Sequence, residues 1–315
     1  SASGFLLLES GDAQGQTLRV LDPDSLSDLA TPLRTERRIR AAAAHATQPM
    51  LAVGFDDGSI GVYAVPRLSS PISLTLTDDP GPLIRVQYSG EGKTLMLLGG
   101  EGARLFHGEG WQTRSELVKP PFEVLSGALH PNQPGVAFGG PKGQLVYSMP
   151  LKPDSFLAME NGGQSRFTQV EFVPDEEAIF RYALPRTGLT DRTGSRLDEG
   201  SFYWTLQAKR GKIKLENYPA VRQLRFGGTV HDLATASADG RARLIDLDRV
   251  NDAGRPDFSL GSTATAVAYH DKQFRLAAGA EDGKVAVWDS RSRREIWDRP
   301  AHRGTVTGLA FSPDG

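Results

Sequence analysis

Gly90-Glu-Gly-Lys-Thr94 sets two glycines, a lysine and a hydroxyl in the order used by a phosphate-binding loop. Such a loop cradles phosphate with backbone amides. It needs a further glycine five residues before the second one, and a helix after it. Gln87 stands at the first of these positions, and Leu95-Met-Leu-Leu98 reads as a strand. The run is read as a turn between strands. The six histidines are His45, His107, His130, His231, His270 and His302, and no H-E-x-x-H pair occurs. His45, His130 and His270 each close an apolar segment: Ala-Ala-Ala-Ala-His, Gly-Ala-Leu-His and Val-Ala-Tyr-His. One such position per unit, far apart along the chain, suits a turn residue better than a zinc ligand. No G-x-S-x-G elbow is present, and no carboxylate pair stands out by its spacing. No catalytic residue, metal ligand or cofactor is assigned.

Arginine is the remaining candidate chemistry. Arg34, Arg37 and Arg38 sit in Arg34-Thr-Glu-Arg-Arg-Ile-Arg40, and Arg186, Arg192 and Arg196 sit in Leu184–Gly200. Arg299 and Arg303 flank Ala301-His302. A guanidinium fork matches carboxylate and phosphate geometry, so these residues are candidates for partner binding. Glu36, Asp191, Asp198 and Glu199 are interspersed, so a solvated, partly self-neutralised surface is the alternative. Trp111, among Gly108, Glu109, Gly110 and Gln112, is a candidate exposed anchor. The alternative is a Trp folded back on its own unit. Trp204, Trp288 and Trp297 are expected in packed positions.

The composition narrows the class. The chain has 315 residues, 36 Lys+Arg, 38 Asp+Glu and a net charge of −2, with 39% apolar residues, 35 glycines and no cysteine. Balanced charge argues against a disordered polyelectrolyte and supplies no global positive field for nucleic acid. No stretch approaches the ~20 apolar residues of a membrane helix. Without cysteine there is no disulfide framework and no thiolate site. Ser1-Ala2-Ser3-Gly4 carries no basic or long apolar segment of the signal-peptide type.

Repeats then organise the chain. Leu233–Asp246 and Leu276–Asp289 share small and apolar residues, an Asp-Gly turn, alternating apolar residues and a final Asp. Their turn residues Asp239 and Asp282 are 43 apart. Leu51–Tyr63 is a third copy with its turn at Asp57-Gly58, and Met96–Phe106 and Val136–Tyr147 are degenerate copies. Asp-Gly between alternating apolar runs is a hairpin signal, because Gly tolerates the positive φ of the turn. A further apolar strand precedes each unit: Leu83–Tyr88, Leu125–Leu129, Thr168–Val173, Val221–Phe226, Ala264–Tyr269 and Thr305–Phe311. Strand-only units of ~40–45 residues match four-stranded propeller blades.

Val285-Ala-Val-Trp288-Asp289 after Glu281-Asp282-Gly283, and Phe311-Ser-Pro-Asp-Gly315 after Ala301-His302, resemble the WD-repeat β-propeller family. The resemblance implies a rigid, non-catalytic interaction platform in the cytoplasm, with the Arg-bearing connections on the face that carries the Asp-Gly turns. The family's His–Ser/Thr–Asp–Trp tetrad is incomplete: Ala278 stands where Ser/Thr is expected, and Ile245 stands where Trp is expected. Packing, rather than the tetrad, is expected to hold most blades. His302 is expected to bond within the closing blade.

The last unit stops after one strand, and the N-terminus begins with the strands it lacks: Phe5–Glu9, Thr17–Asp22 and Leu29–Leu33. The expectation is an all-β, seven-bladed propeller of four-stranded blades forming one domain over 1–315. Its blades span 39–70, 83–118, 124–160, 167–217, 221–259 and 264–298, and 305–315 with 5–33 closes the ring. Its expected role is a scaffold or sensor within a longer protein, with further domains in the same chain. The expected partner is an acidic or phosphorylated protein rather than nucleic acid, with no membrane insertion. A propeller enzyme with a channel-mouth site, and a coat-type or nucleic-acid-associated scaffold, are the alternatives.

Overall fold

The computed structural model describes residues 6–12, 15–25, 27–45, 47–65, 67–68, 71–74, 80–108, 111, 113–148, 157–161, 165–172, 178–185, 201–206, 221–226, 232–246, 257–270 and 272–312. These form strands β1 to β27 and no α-helix among the described residues. No described helix is long and apolar enough to cross a membrane.

Antiparallel hairpins of short strands build each sheet. The first is β4 (Ile39–Ala44), β5 (Met50–Phe55), β6 (Ile60–Ala64) and β7 (Ile72–Leu74). The next joins β8 (Leu83–Tyr88), β9 (Thr94–Gly99), β10 (Gly102–His107) and β11 (Thr113–Arg114). It is followed by β12 (Ser126–Leu129), β13 (Val136–Gly139), β14 (Gln144–Ser148) and β15 (Leu157–Asn161). A sheet of three strands follows: β16 (Ser165–Phe172), β17 (Ala178–Pro185) and β18 (Ser201–Leu206). Then come β19 (Val221–Phe226), β20 (Asp232–Ser237), β21 (Arg241–Asp246) and β22 (Asp257–Ser259). β23 (Ala264–His270), β24 (Arg275–Ala280), β25 (Lys284–Asp289) and β26 (Glu295–Pro300) form another.

The remaining sheet joins the two ends of the chain. β27 (Val306–Phe311) pairs with β1 (Leu6–Asp12), which pairs with β2 (Gly15–Leu21) and then β3 (Leu33–Thr35). Leu6 lies opposite Phe311 and Leu8 opposite Leu309. The innermost strands contact one another in a closed cycle: β4, β8, β12, β16, β19, β23, β27 and back to β4. The edge that either end would expose is thereby paired.

Two expectations are corrected. Six sheets have four strands, not seven, and the sheet at Ser165–Leu206 has three. The segment that would supply its fourth strand falls at 207–220, outside the described residues. The closing blade's outer strand is Leu33–Thr35 rather than Leu29–Leu33. Asp22 accepts the amides of Asp24 and Ser25 and turns the chain there. Leu29 then bonds back to the Val20 carbonyl, and ladder pairing with β2 resumes only after Pro32, which has no amide to donate.

The core lies between sheets. Leu6, Leu8 and Leu21 of the closing blade pack with Val285, Val287 and Val306, while Leu7, Leu18 and Val20 pack with Leu51, Val53 and Phe55 of the next. Alternation along these strands thus gives the closing blade two apolar faces, each covered by a neighbour. Trp288 packs on Phe258, with ring centroids 5.2 Å apart. The Thr235 hydroxyl is buried without a hydrogen-bond partner among the described residues, so no polar tetrad forms through it in this blade.

Candidate functional site: the arginine groove and the channel

The Asp-Gly turns and the connections between blades lie at one end of the ring. Asp56 donates to the Arg38 carbonyl, Glu281 to that of Thr263, and Ala301 to that of Gly283. In each turn the Asp Oδ1 accepts the amide two residues on: Ser59 for Asp57, Arg241 for Asp239, and Lys284 for Asp282. This is the local reason for Asp at that position. The Ser59 hydroxyl and amide hold the Asp57 carboxyl below the ordinary range, against a burial effect, with Arg37 adding to the shift. Gly58, Gly240 and Gly283 have φ of 76°, 78° and 85°, as the hairpins require.

The arginines singled out from the sequence divide into distinct sets. Arg34 and Arg303 line one groove of about 860 Å³, together with Gly15, Thr35, Glu36, His302, Arg19 and Asp28. Arg19 is committed there: it grips Asp28 through two nitrogens at 2.9 Å and donates to the Ala301 carbonyl at 2.9 Å. Arg34 and Arg303 are exposed, and neither guanidinium has a hydrogen bond or ion pair among the described residues. Arg37 instead donates to Ser59 Oγ at 2.8 Å and lies 3.9 Å over the Phe55 ring. Arg299 donates to the Ser25 carbonyl at 2.6 Å. Arg38 is exposed, and its side chain has no such partner. Arg186, Arg192 and Arg196 lie outside the described residues.

Trp111 is corrected. It is 7% exposed and is not a surface anchor. Its ring centroid lies 5.8 Å from His45 and 5.7 Å from Tyr88, so it closes an aromatic cluster between two blades. The backbone there takes a left-handed φ of 55°. Trp297 is buried and donates its indole N–H to the Pro23 carbonyl at 3.0 Å. The histidines serve turns: His45 Nδ1 accepts the amides of Thr47 and Gln48, and His130 Nδ1 those of Asn132 and Gln133. His270 Nδ1 accepts the Gln273 amide. His302 bonds differently from expectation. Its amide donates to the Gly283 carbonyl of the preceding blade, and its Nδ1 accepts from Gly304. Gly90–Thr94 is a hairpin turn, with Ser89 and Thr94 bonded to each other. No group of three or more His, Asp or Glu able to hold a metal occurs among the described residues.

A second polar centre, missed from the sequence, lies inside the ring. Arg85 of β8 holds Glu171 of β16, and Arg225 of β19 approaches the same carboxylate at 3.3 Å. Neighbouring inner strands are zipped by side chains. Gln87 bonds the amide and carbonyl of Leu129, and Gln169 bonds the Leu224 amide and the Arg222 carbonyl. Gln223 accepts the Val267 amide. The available signal was a polar residue recurring at alternate positions of first strands that are otherwise apolar.

Comparison with known proteins agrees with this architecture. The model of the WD domain, G-beta repeat, matches residues 258–289. Transcription initiation factor TFIID subunit 5 of Caenorhabditis elegans is 27% identical over 146 residues, covering 46% of this chain and 20% of that protein. Pre-mRNA-processing factor 19 of Bos taurus is 23% identical over 194 residues, covering 60% of this chain and 35% of its own length. The U5 small nuclear ribonucleoprotein 40 kDa protein of Pongo abelii is 45% identical over 40 residues, 13% of this chain and 11% of that protein. The chain therefore spans about a third or less of these relatives. The repeated Asp-Gly hairpins and the cycle of inner strands make the chain a β-propeller, and its residues 258–289 match the WD domain, G-beta repeat.

Proposed function

We propose that the chain is a non-catalytic platform for protein–protein interaction, and that an acidic or phosphorylated partner docks in the groove holding Arg34 and Arg303. The supporting observation is that these two guanidiniums are exposed and unpaired in one groove, whereas Arg19 beside them is spent on Asp28. A guanidinium with free N–H groups is a ready bidentate donor to carboxylate or phosphate. Arg38 adds charge at the same end of the ring. In this reading the sheet Ser165–Leu206 is a seventh, incompletely described blade of one propeller over 1–315. Further domains in the same protein, and an intracellular location, belong to the reading through family resemblance alone.

The test is fluorescence anisotropy with Asp/Glu-rich and phosphoserine peptides on the full chain. Salt-sensitive binding that falls roughly tenfold or more in R34E/R303E is expected. Equal binding by the variant removes the groove from the function. A nucleic-acid-associated scaffold is the second reading, favoured by the similarity to a transcription initiation factor subunit, a small nuclear ribonucleoprotein protein and a pre-mRNA-processing factor. It requires oligonucleotide affinity that drops steeply with salt.

A further inference from the structure

The channel carries a charge opposite in sign to the chain. Two cavities, of about 390 and 320 Å³, share Ile84, Arg85, Gln223 and Arg225 as lining. Arg40 lines the first and Arg222 the second. Together the described linings of the two cavities carry four guanidiniums and one carboxylate, Glu171, which lines the smaller cavity. The whole chain has a net charge of −2.

The inner strands create this arrangement. Register breaks leave one extra residue in β4 between Ile39 and Ala41, and one in β19 between Val221 and Gln223. The extra residues are Arg40 and Arg222. A bulge of this kind re-aims a side chain out of the ladder alternation.

The donors are not used up. Arg85 spends its nitrogens on Glu171, on the Gly127 carbonyl at 3.2 Å and on the Val170 carbonyl at 3.4 Å. Arg225 spends only Nη1, on Glu171 and on the Leu224 carbonyl. Its Nη2 and Nε have no acceptor among the described residues, and neither do the guanidiniums of Arg40 and Arg222. Burial lowers the Arg225 guanidinium to about 10, with Glu171 opposing and Arg85 adding to the shift. Glu171 thus serves two cations and neutralises one.

We propose that the central channel binds a compact phosphate anion carrying two or more negative charges, held by Arg40, Arg222 and Arg225. A monocarboxylate would leave most of the excess charge unmatched. A multiply charged phosphate fits both the charge and the fork geometry of the free guanidiniums. Cavities of this size suit a small molecule. The site is separate from the groove of Arg34 and Arg303 and does not depend on its role.

The probe is inorganic pyrophosphate, titrated calorimetrically into the full chain at fixed ionic strength. Saturable binding is expected, weakened roughly tenfold or more in R40Q/R222Q. That variant should melt with the wild type when no anion is added, because neither side chain has a partner among the described residues. R34E/R303E should bind pyrophosphate normally. The proposal is overturned by absence of saturable binding, by equal affinity in R40Q/R222Q, by loss of affinity in R34E/R303E, or by citrate binding as tightly as pyrophosphate.

Discussion

Arg85 reaches past the neighbouring inner strand to Glu171, with Nη2 to Oε2 at 2.8 Å and Nη1 to Oε1 at 2.8 Å. It passes Gly127, whose carbonyl it also bonds at 3.2 Å. The contact ties β8 to β16 across β12, so one ion pair braces three consecutive blades.

Glu171→Gln should therefore cost more than a surface charge deletion. The Glu171 side chain is only 10% exposed, and its loss leaves two guanidiniums facing each other. Breaking a fully buried pair costs about 3–5 kcal/mol, whereas Arg225 keeps 36% of its side chain exposed, so about 2–3 kcal/mol is expected. Chemical denaturation measures it. A loss near zero would mean that the channel water carries these charges unaided.

The ring closure predicts that removing residues 305–312 destabilises the whole propeller. The deletion unpairs β1 and uncovers Leu6 and Leu8, both fully buried. A large drop in melting temperature is expected, and an unchanged melt would refute closure through this pairing.

Trp111→Ala should be nearly as harmful as Trp288→Ala. The two side chains are 7% and 4% exposed, and each packs against other rings. Truncating a buried Trp typically costs about 3–5 kcal/mol. Thermal melts of the two variants decide this, and a silent Trp111→Ala would mean that the aromatic cluster contributes nothing.

His45 predicts an acid limb to stability. Burial lowers its imidazole below the ordinary value, and the Gly92 backbone hydrogen bond partly opposes this. The unfolded chain then binds the proton more readily, so the contribution is present above the unfolded value of about 6.5 and is lost as pH falls below it. His45→Asn keeps an acceptor for the turn and removes the titration. Between pH 7.5 and 5.5 the wild type should lose more stability than the variant, and equal losses would contradict the assignment.

Gly283 and Gly58 separate two costs of the hairpin turn. Their φ values are 85° and 76°. A Cβ on Gly283 would strike the His302 carbonyl oxygen, whereas one on Gly58 meets nothing within 4 Å. Gly58→Ala should cost about 1 kcal/mol of backbone strain. Gly283→Ala should cost clearly more, because the clash is with backbone that cannot step aside. Equal melting temperatures for the two variants would contradict the close approach at Gly283.

What could be read from the residues was whatever repeats. The turns at Asp57, Asp239 and Asp282, and the pairing of the last strand with the first, follow from local pattern and period. Trp111 misled because its glycine-rich surroundings look like a loop tip, while its environment is supplied by His45 and Tyr88 from elsewhere in the chain. The Arg85–Glu171–Arg225 cluster was invisible because its members stand 86 and 54 residues apart and meet only when the ring closes. The arginine set was visible as a list. Which members are free was not, because Arg37 and Arg299 are engaged by the Ser59 hydroxyl and by the Ser25 carbonyl only in the folded chain.

The most direct test of the platform role is the anisotropy titration of an acidic phosphoserine peptide against wild type and R34E/R303E at two salt concentrations. Binding that weakens with salt in the wild type and is lost in the variant, with an unchanged melting temperature, is the predicted result. Binding that survives the charge reversal would contradict the groove as the docking site.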